Sequence, residues 1–312
     1  MFLPELSLIE AAHQRIAPYL HRTPVLTSQS IDAVSGAEIF FKCENFQKIG
    51  AFKARGATNA ILQLPEGTKA VATHSSGNHA QAVAYAAKSK GMQAYIVMPE
   101  TAPKVKVKAV KGYGAEVIFC APNQQAREDT LNKVVAKTGA AFVHPYDNKE
   151  VICGQASAAK ELIEDTSTLD FVLAPVGGGG LLAGTALATH YLSKNTKVIA
   201  GEPEGADDAY RSLKAGEIIP SVNPNTIADG LLTSLGKLNF PIIQKLVQEI
   251  ITVDDEAIKA AMRLIWERMK IIIEPSCAVP LAVVLQHQEK FAGKKIGIIL
   301  TGGNVDLEKL PF

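Results

Sequence analysis

The chain has 312 residues, more than one compact core usually organises, so two domains or one unusually large α/β unit are expected. An apolar fraction of 47% beside 20% charged residues is typical of globular proteins and excludes long disordered, collagen-like or coiled-coil architectures. The formal charge of +1 gives no field that would draw the protein to a nucleic acid or an anionic membrane, so small molecules and further copies of the chain are the expected partners.

Cysteine usage and apolar patterning predict a soluble, cytoplasmic protein. The four cysteines are too few and too far apart for a disulfide framework or a zinc site. The first twenty residues lack the basic and apolar segments of a signal peptide. The best candidate for a membrane span, residues 271–285, is interrupted by Glu274, Pro275 and Pro280.

Short β-branched segments alternate with longer alanine-rich segments along the chain. The predicted strands cover residues 39–41, 70–73, 94–98, 116–119, 142–144, 171–176, 197–201, 250–253 and 296–300. The predicted helices cover residues 79–89, 124–138, 149–163, 180–192 and 254–269. This alternation predicts a mostly parallel sheet covered by helices, in which sites form beyond the carboxyl ends of the strands.

Four consecutive glycines, Gly177, Gly178, Gly179 and Gly180, follow one predicted strand and open a helix that begins with Leu181. Glycines at this position let several backbone N–H groups turn toward one anion, while the helix dipole adds positive potential. The spacing matches neither a Walker loop nor GxGxxG, so a single phosphomonoester is the favoured ligand. A flexible turn is the alternative.

A second polar loop follows the strand at 70–73 and contains Ser75, Ser76, Gly77, Asn78 and His79. Its hydroxyl, amide and imidazole groups, with the next helix N-terminus, suit a carboxylate or a ring oxygen. Simple helix capping is the alternative.

Lys53 stands between Phe52 and Ala54, an apolar setting that would lower the charge on its amine and let it condense with an aldehyde. Most lysines are surface residues, which is the alternative here. A reactive lysine, a phosphate loop and a carboxylate loop together suggest pyridoxal phosphate.

The sequence resembles the fold type II pyridoxal-phosphate enzymes of the serine racemase and serine/threonine dehydratase group over nearly its whole length. The matching segments, in order, are residues 41–48 (FKCENFQK), 51–56 (AFKARG), 75–79 (SSGNH), 177–180 (GGGG), 226–230 (TIADG), 266–270 (WERMK), 274–275 (EP) and 301–306 (TGGNVD). The resemblance implies a tryptophan-synthase-β-like α/β fold of two domains, with mostly parallel sheets covered by helices.

The resemblance also implies roles for the cofactor residues. Lys53 would form the Schiff base, with Phe52 packed near it, and Asn78 would hydrogen-bond the ring hydroxyl. Thr301 would meet the pyridine nitrogen. The phosphate would lie in the glycine loop, residues 177–181.

By the same resemblance the main expected function is a serine racemase that also acts as a serine and threonine ammonia-lyase. Lys53 would take the α-proton, and Ser76 would return a proton on the opposite face. The alternatives are a threo-3-hydroxy-L-aspartate ammonia-lyase and a non-catalytic cofactor-binding protein. Arg127 is similar in position to an arginine that approaches dicarboxylate ligands in related racemases, although an exposed helix arginine is an equal alternative.

A metal site and a homodimer are further expectations from the resemblance. Glu202, the Ala206 carbonyl and Asp208 would bind Mg²⁺, Ca²⁺ or Mn²⁺, and a cluster of solvated acids is the alternative. The large domain would comprise residues 1–69 and 147–312, and a small mobile domain residues 70–146.

Three residues depart from the animal serine racemases. Ala51 replaces a serine before Phe52, Tyr146 replaces an asparagine, and Ile49 replaces a polar residue near the nucleotide-effector site. Nucleotide activation is therefore not expected, and bacterial or fungal relatives should be nearer.

Overall fold

The computed structural model describes residues 3–102 and 104–312, and these contain ten strands and thirteen α-helices. The strands are β1 (Val25–Leu26), β2 (Glu38–Cys43), β3 (Ala70–His74), β4 (Gln93–Pro99), β5 (Glu116–Cys120), β6 (Ala141–Phe142), β7 (Phe171–Pro175), β8 (Lys197–Pro203), β9 (Glu249–Val253) and β10 (Lys295–Leu300). The helices are α1 (Leu6–Ile16), α2 (Gln29–Ser35), α3 (Lys53–Leu62), α4 (Asn78–Ser89), α5 (Lys104–Gly112), α6 (Gln124–Thr138), α7 (Lys149–Asp165), α8 (Gly180–Leu192), α9 (Asp208–Ala215), α10 (Asn239–Leu246), α11 (Asp255–Met269), α12 (Pro275–Gln286) and α13 (Gln288–Phe291).

The strands form two sheets. The larger sheet has the order β1-β2-β10-β7-β8-β9, and the smaller has the order β5-β4-β3-β6. Every neighbouring pair is parallel except β1 and β2. The predicted α/β fold with mostly parallel sheets is therefore confirmed, and each predicted strand and helix overlaps an observed one.

Helices cover both faces of the larger sheet. Successive residues of β7 and β10 enter different cores: Leu173 and Ile298 pack on one side, and Val172 and Ile299 on the other. Strands buried on both faces read as continuous apolar segments, which is why these strands could be predicted from the sequence. Strand β1 was not predicted.

All strands of the smaller sheet come from residues 70–146, and those of the larger sheet come from the segments on either side. The division of the chain into domains at these positions stays a prediction. No helix in the described ranges is long and apolar enough to cross a membrane.

Helix α3 is held by a buried ion network centred on Arg55. The Arg55 guanidinium donates to both carboxylate oxygens of Glu44 and to both of Glu161, at 2.7–2.8 Å, and also to the Ser157 hydroxyl at 3.1 Å. Burial alone would raise the Glu161 pKa, but hydrogen bonds from His13 and Arg55 outweigh it and hold that pKa well below its usual range.

Further buried groups complete this network. The Lys42 ammonium lies 2.7 Å from Glu161 and donates to the Thr23 carbonyl at 2.6 Å. Helices α3 and α7 also approach closely, since a Cβ on Gly154 would lie 2.7 Å from the Arg55 carbonyl oxygen. The first turn of α3, which carries Lys53, is therefore fixed by charge pairing and by close backbone packing.

Arg55→Met should lower the free energy of unfolding by about 3–5 kcal/mol, because it leaves two buried carboxylates without their cation. Urea unfolding of both proteins measures the difference. Lys259→Met, which removes an exposed pair with Glu256, is the control and should leave the urea midpoint unchanged. Equal effects of the two substitutions would contradict a special contribution from the buried network.

Candidate active site

The carboxyl ends of strands from both sheets meet at a cavity of about 630 Å³. Its wall includes every residue predicted for the cofactor and the substrate, namely Phe52, Lys53, Ser75, Ser76, Gly77, Asn78, His79, Arg127, Gly177, Gly178, Gly179, Gly180, Leu181 and Thr301. Residues far apart in the chain, such as Lys53 and Thr301, thus converge at the edge where parallel-sheet proteins bind ligands. Their individual roles stay predictions.

Lys53 begins helix α3, half-buried at the cavity wall. Its Nζ donates to the Pro145 carbonyl at 2.8 Å and lies 5.2 Å from the centre of the Phe52 ring. Burial lowers the pKa of Lys53 to about 8, although the negative charge of Glu274 opposes the shift. More of this amine is therefore neutral and nucleophilic near physiological pH than in an ordinary lysine.

The glycine loop needs its glycines for packing as well as for backbone freedom. Gly179 has φ +87°, and a Cβ on Gly178 would lie 2.4 Å from the Tyr146 ring. Gly180, Leu181 and Leu182 form the first turn of α8 and line the cavity, so the positive end of the helix dipole faces it. This first turn suits a phosphate.

Thr301 follows β10 with its hydroxyl buried. That hydroxyl has no hydrogen-bond partner of normal geometry among the described residues, although the Cys277 thiol lies beside it. An unsatisfied buried hydroxyl at a cavity wall is ready to bond to a ligand atom, and a pyridine nitrogen fits that requirement.

Asn78 has both ends of its side-chain amide engaged. Its Nδ2 donates to Glu274 Oε1 at 2.7 Å, and its Oδ1 accepts from Asn304 Nδ2 at 2.8 Å. Burial, together with the negative charge of Asp229, raises the pKa of Glu274 to about 7. Glu274 and Asn304 lie in sequence segments that match the family, but sequence reasoning gave neither a role because their contact with Asn78 depends on the fold.

The two serines of the loop after β3 differ in their bonding. The Ser75 hydroxyl accepts from the Gly77 N–H at 3.2 Å, whereas the Ser76 hydroxyl makes no hydrogen bond within the described part of the chain. The N-cap residue of α4 is Gly77, and neither serine accepts a hydrogen bond from the first turn of the helix. The capping alternative for Ser76 is therefore wrong, and its hydroxyl is free to meet a ligand.

His79 is buried behind this loop. Its Nε2 donates to the Val143 carbonyl at 3.0 Å, and its Nδ1 has no partner among the described residues. Burial, aided by the positive charge of Lys53, lowers the pKa of His79 well below its usual value. His79 is therefore neutral.

Arg127 projects from α6 at the cavity wall and is half-buried. Its Nε is buried without a hydrogen-bond partner, and its guanidinium forms no ion pair within residues 3–102 and 104–312. An arginine without a counter-ion at a cavity wall is suited to an anionic group of a ligand. It is not the fully exposed arginine of the alternative interpretation.

Sequence reasoning missed the role of the segment that follows β6. The Pro145 carbonyl accepts from Lys53, the Tyr146 ring packs on the glycine loop, and the His144 ring lies 4.8 Å from that of Tyr146. Burial lowers the pKa of His144 to about 4. The only sequence signal was the departure of Tyr146 from the animal enzymes.

The predicted metal ligands are not part of the cavity wall. Glu202 is the next-to-last residue of β8 and accepts from the N–H groups of Ala209 and Tyr210 at 2.8 and 2.7 Å. Both Asp208 oxygens are buried without a partner of normal geometry, and burial raises the pKa of Glu202 to about 8 and that of Asp208 to about 6. No group of three His, Cys, Asp or Glu side chains in the described residues is placed to hold a metal, so a site here would need the Ala206 carbonyl and water.

The model of the pyridoxal-phosphate-dependent enzyme family matches residues 16–302, and the chain belongs to this family. It is a pyridoxal-phosphate-dependent enzyme whose relatives include racemases and ammonia-lyases.

The relatives carry more than one activity. The chain is 52% identical to the beta-hydroxyaspartate dehydratase of Paracoccus denitrificans, covering 100% of both chains. It is 51% identical to the serine racemase of Dictyostelium discoideum, covering 97% of this chain and 95% of the relative, and the crystal structure of that racemase superposes with a TM-score of 0.93, covering 97% and 99%. The crystal structure of the T.th. threonine deaminase superposes with a TM-score of 0.94 at 46% identity, covering 97% and 99%.

Capture of pyridoxal phosphate by the cofactor-free protein should become faster as pH rises and level off above about pH 8, because only the neutral Lys53 amine attacks the aldehyde. Stopped-flow absorbance across pH 6–10, a range of about two units on either side of this pKa, measures the rate. Lys53→Ala should lose both the absorption band and turnover. Retention of either would refute the assignment of Lys53.

Proposed function

We propose that this enzyme removes the α-proton of a β-hydroxy-L-amino acid and then either eliminates the hydroxyl group or returns the proton on the opposite face. The observation that carries this proposal is the convergence of Lys53, Ser76, Asn78 and Thr301 on one cavity. Pyridoxal phosphate, when bound, supplies the electron withdrawal that makes the α-proton acidic. Lys53 would hold its aldehyde, Thr301 its ring nitrogen and residues 177–181 its phosphate.

Lys53 is the proposed base. Its lowered pKa favours a neutral amine that can accept a proton near physiological pH. The Pro145 carbonyl accepts a hydrogen bond from Nζ and so orients the amine. Loss of the α-proton and the β-hydroxyl as water leaves an unsaturated amino acid, which water then hydrolyses to a keto acid and ammonia, and this is the ammonia-lyase reaction.

Ser76 is the proposed second acid–base group. Its unbonded hydroxyl at the cavity wall supports proton exchange with the substrate. Ser76→Ala should therefore slow racemisation of L-serine by about 100-fold while slowing elimination by about threefold or less. Chiral chromatography and keto-acid detection in the same reaction measure both rates, and equal losses would count against Ser76.

Arg127 favours a dicarboxylate as the main substrate. Its unpaired guanidinium would bind the second carboxylate of threo-3-hydroxy-L-aspartate, and L-serine has no group to take that place. The Paracoccus denitrificans relative is named for a hydroxyaspartate, which supports this choice. Racemisation and dehydration of L-serine form the second candidate, supported by the Dictyostelium discoideum relative.

Arg127→Met should lower kcat/KM for threo-3-hydroxy-L-aspartate by about 10–100-fold and change that for L-serine by about threefold at most, because the loss is that of a charge-assisted hydrogen bond. Lys133→Met, an exposed cation on the same helix, is the matched control. Equal losses for the two substrates would remove the argument for a dicarboxylate.

The wild-type enzyme should be offered L-serine, L-threonine and threo-3-hydroxy-L-aspartate in parallel. Keto acid formed fastest from hydroxyaspartate would support the main proposal. D-serine as the principal product would support the second candidate. A protein that binds the cofactor and turns over none of the three would contradict both.

We also propose that residues 70–146 move as a small domain that closes the cavity. Contacts that join the proposed domains at the cavity include Asn78 to Glu274, and Lys106 to Asp229 at 2.5 Å. Closure would exclude water from the reacting centre. Identical domain angles in free and ligand-bound crystals would contradict this movement.

A divalent cation, Mg²⁺ being the leading choice, is proposed at Glu202, the Ala206 carbonyl and Asp208. The two unpartnered oxygens of Asp208 support it, because a buried carboxylate needs a counter-ion or donors. The ion would brace the loop after β8 and take no part in chemistry. A thermal unfolding midpoint that does not respond to Mg²⁺ would contradict the site.

A cytoplasmic homodimer is the proposed assembly. Phe46 and Ile272 are large apolar side chains, 44% and 47% exposed, on segments joined by a hydrogen bond from Asn45 to the Ile272 carbonyl. Apolar exposure of this kind suits a subunit interface. Monomeric sedimentation of the loaded enzyme would contradict the assembly.

A further inference from the structure

A side-chain amide at a binding site can present either its carbonyl oxygen or its NH₂ group to a ligand. Asn78 lines the cavity at the start of α4, so the orientation of its amide decides whether it donates or accepts there. Only a donor stabilises negative charge on a ligand oxygen. The groups that set this orientation therefore matter to the cofactor even where they do not touch it.

Two neighbours allow one orientation of the Asn78 amide. Asn304 Nδ2 donates to Asn78 Oδ1 at 2.8 Å, and its own orientation is set by a second donation, to the Ile49 carbonyl at 2.8 Å. Asn78 Nδ2 donates to Glu274 Oε1 at 2.7 Å. Rotation of the Asn78 amide by half a turn would face its NH₂ group toward the donor Asn304 Nδ2. It would also face its carbonyl toward Glu274 Oε1, an acceptor while this oxygen carries no proton, so the rotation is strongly disfavoured.

Glu274 is rigidly held. It is 5% exposed, caps α12, and donates its backbone N–H to the Gly302 carbonyl at 3.0 Å. A Cβ on Gly302 would lie 2.8 Å from Glu274 Oε1, so a glycine leaves the room that the carboxyl group occupies. The acceptor for Asn78 is therefore fixed to the same loop that carries Thr301.

Charged and titratable groups surround this carboxyl group on several elements. Asp229 and Lys106 act on it with opposite signs, and it acts in turn on Lys53 and on the Cys277 thiol. A carboxyl oxygen that carries no proton accepts a hydrogen bond whether or not the other oxygen is protonated, so Asn78 keeps its acceptor in both states.

We propose that Glu274 is a positioning residue that keeps the second N–H of the Asn78 amide directed at the ring oxygen next to the aldehyde of pyridoxal phosphate. The inference rests on the proposed contact between Asn78 and that oxygen. Asn304 holds the other end of the amide. Together they make Asn78 a donor toward the cofactor, which stabilises the ionised ring oxygen.

Titration of the cofactor-free protein with pyridoxal phosphate, followed by absorbance at several pH values, tests this role. Glu274→Ala should weaken cofactor binding by about tenfold and move absorbance from the long-wavelength band toward the short-wavelength band, because the ionised ring oxygen loses a fixed donor. Glu274→Gln keeps an oxygen acceptor without the charge, so its cofactor affinity and band ratio should lie between those of the wild-type enzyme and Glu274→Ala. A purely structural role would leave the ratio of the bands unchanged.

Glu308→Ala is the control, since it removes an exposed carboxylate that follows β10 and lies outside the cavity wall, and it should leave the band ratio unchanged. If Glu274→Ala does not fold, Asn304→Ala removes the opposite contact and should shift the bands in the same direction. Wild-type affinity and band ratio in Glu274→Ala, or in Asn304→Ala where that variant replaces it, would overturn the inference.

Asn78→Ala distinguishes failure of the positioning role of Glu274 from failure of the proposed contact between Asn78 and the ring oxygen of the cofactor. If Asn78→Ala shifts the bands and Glu274→Ala does not, only the positioning role is lost. If neither shifts them, the contact between Asn78 and the cofactor is wrong as well.

Discussion

The pairing of the Arg55 guanidinium with the carboxylates of Glu44 and Glu161 holds the first turn of α3 in place. Lys53 comes two residues before Arg55 in the chain, so the position of its reactive amine depends on the buried Arg55 guanidinium. Removing one member of such a network leaves the remaining buried charges without a partner of opposite sign. The members therefore stabilise the fold cooperatively. The Arg55 guanidinium, which anchors α3, is not part of the cavity wall, whereas the Lys53 amine at the cavity wall has a lowered pKa.

The same division between anchor and reactive group recurs around the cavity. Asn239 Nδ2 donates to the carbonyls of Tyr146 and Gly178, so one buried amide ties the segment beneath Lys53 to the glycine loop. Glu274 and Asn304 hold the two ends of the Asn78 side-chain amide in the same way. Thr301, Ser76 and the Nε of Arg127 are among the polar groups at the cavity that have no partner in the described residues, and a cofactor and substrate would supply partners there.

Much of the fold could be predicted from local pattern. Strands β7, β8 and β10 of the larger sheet are buried on both faces and so appear as continuous apolar segments. Helices α6 and α8 were predicted with the bounds that the structure has. Helix α3 was not predicted, because its stability comes from the Arg55 network and from packing on α7 rather than from an apolar period. The residues of the site were found by motif. Their supporting contacts were not found, because Asn78 and Glu274 are 196 residues apart.

The sequence by itself determined the chemistry available to this protein: a lysine among apolar neighbours, a glycine loop opening a helix, and a polar loop after a strand, each readable because the required residues are adjacent in the chain. Tertiary structure alone decided the states of those groups. Burial and the Glu274 carboxylate set the Lys53 pKa, two distant residues orient the Asn78 amide, and Arg127 is left without a counter-ion. Protonation and orientation depend on what surrounds a group in space, and no local pattern in the chain specifies those surroundings.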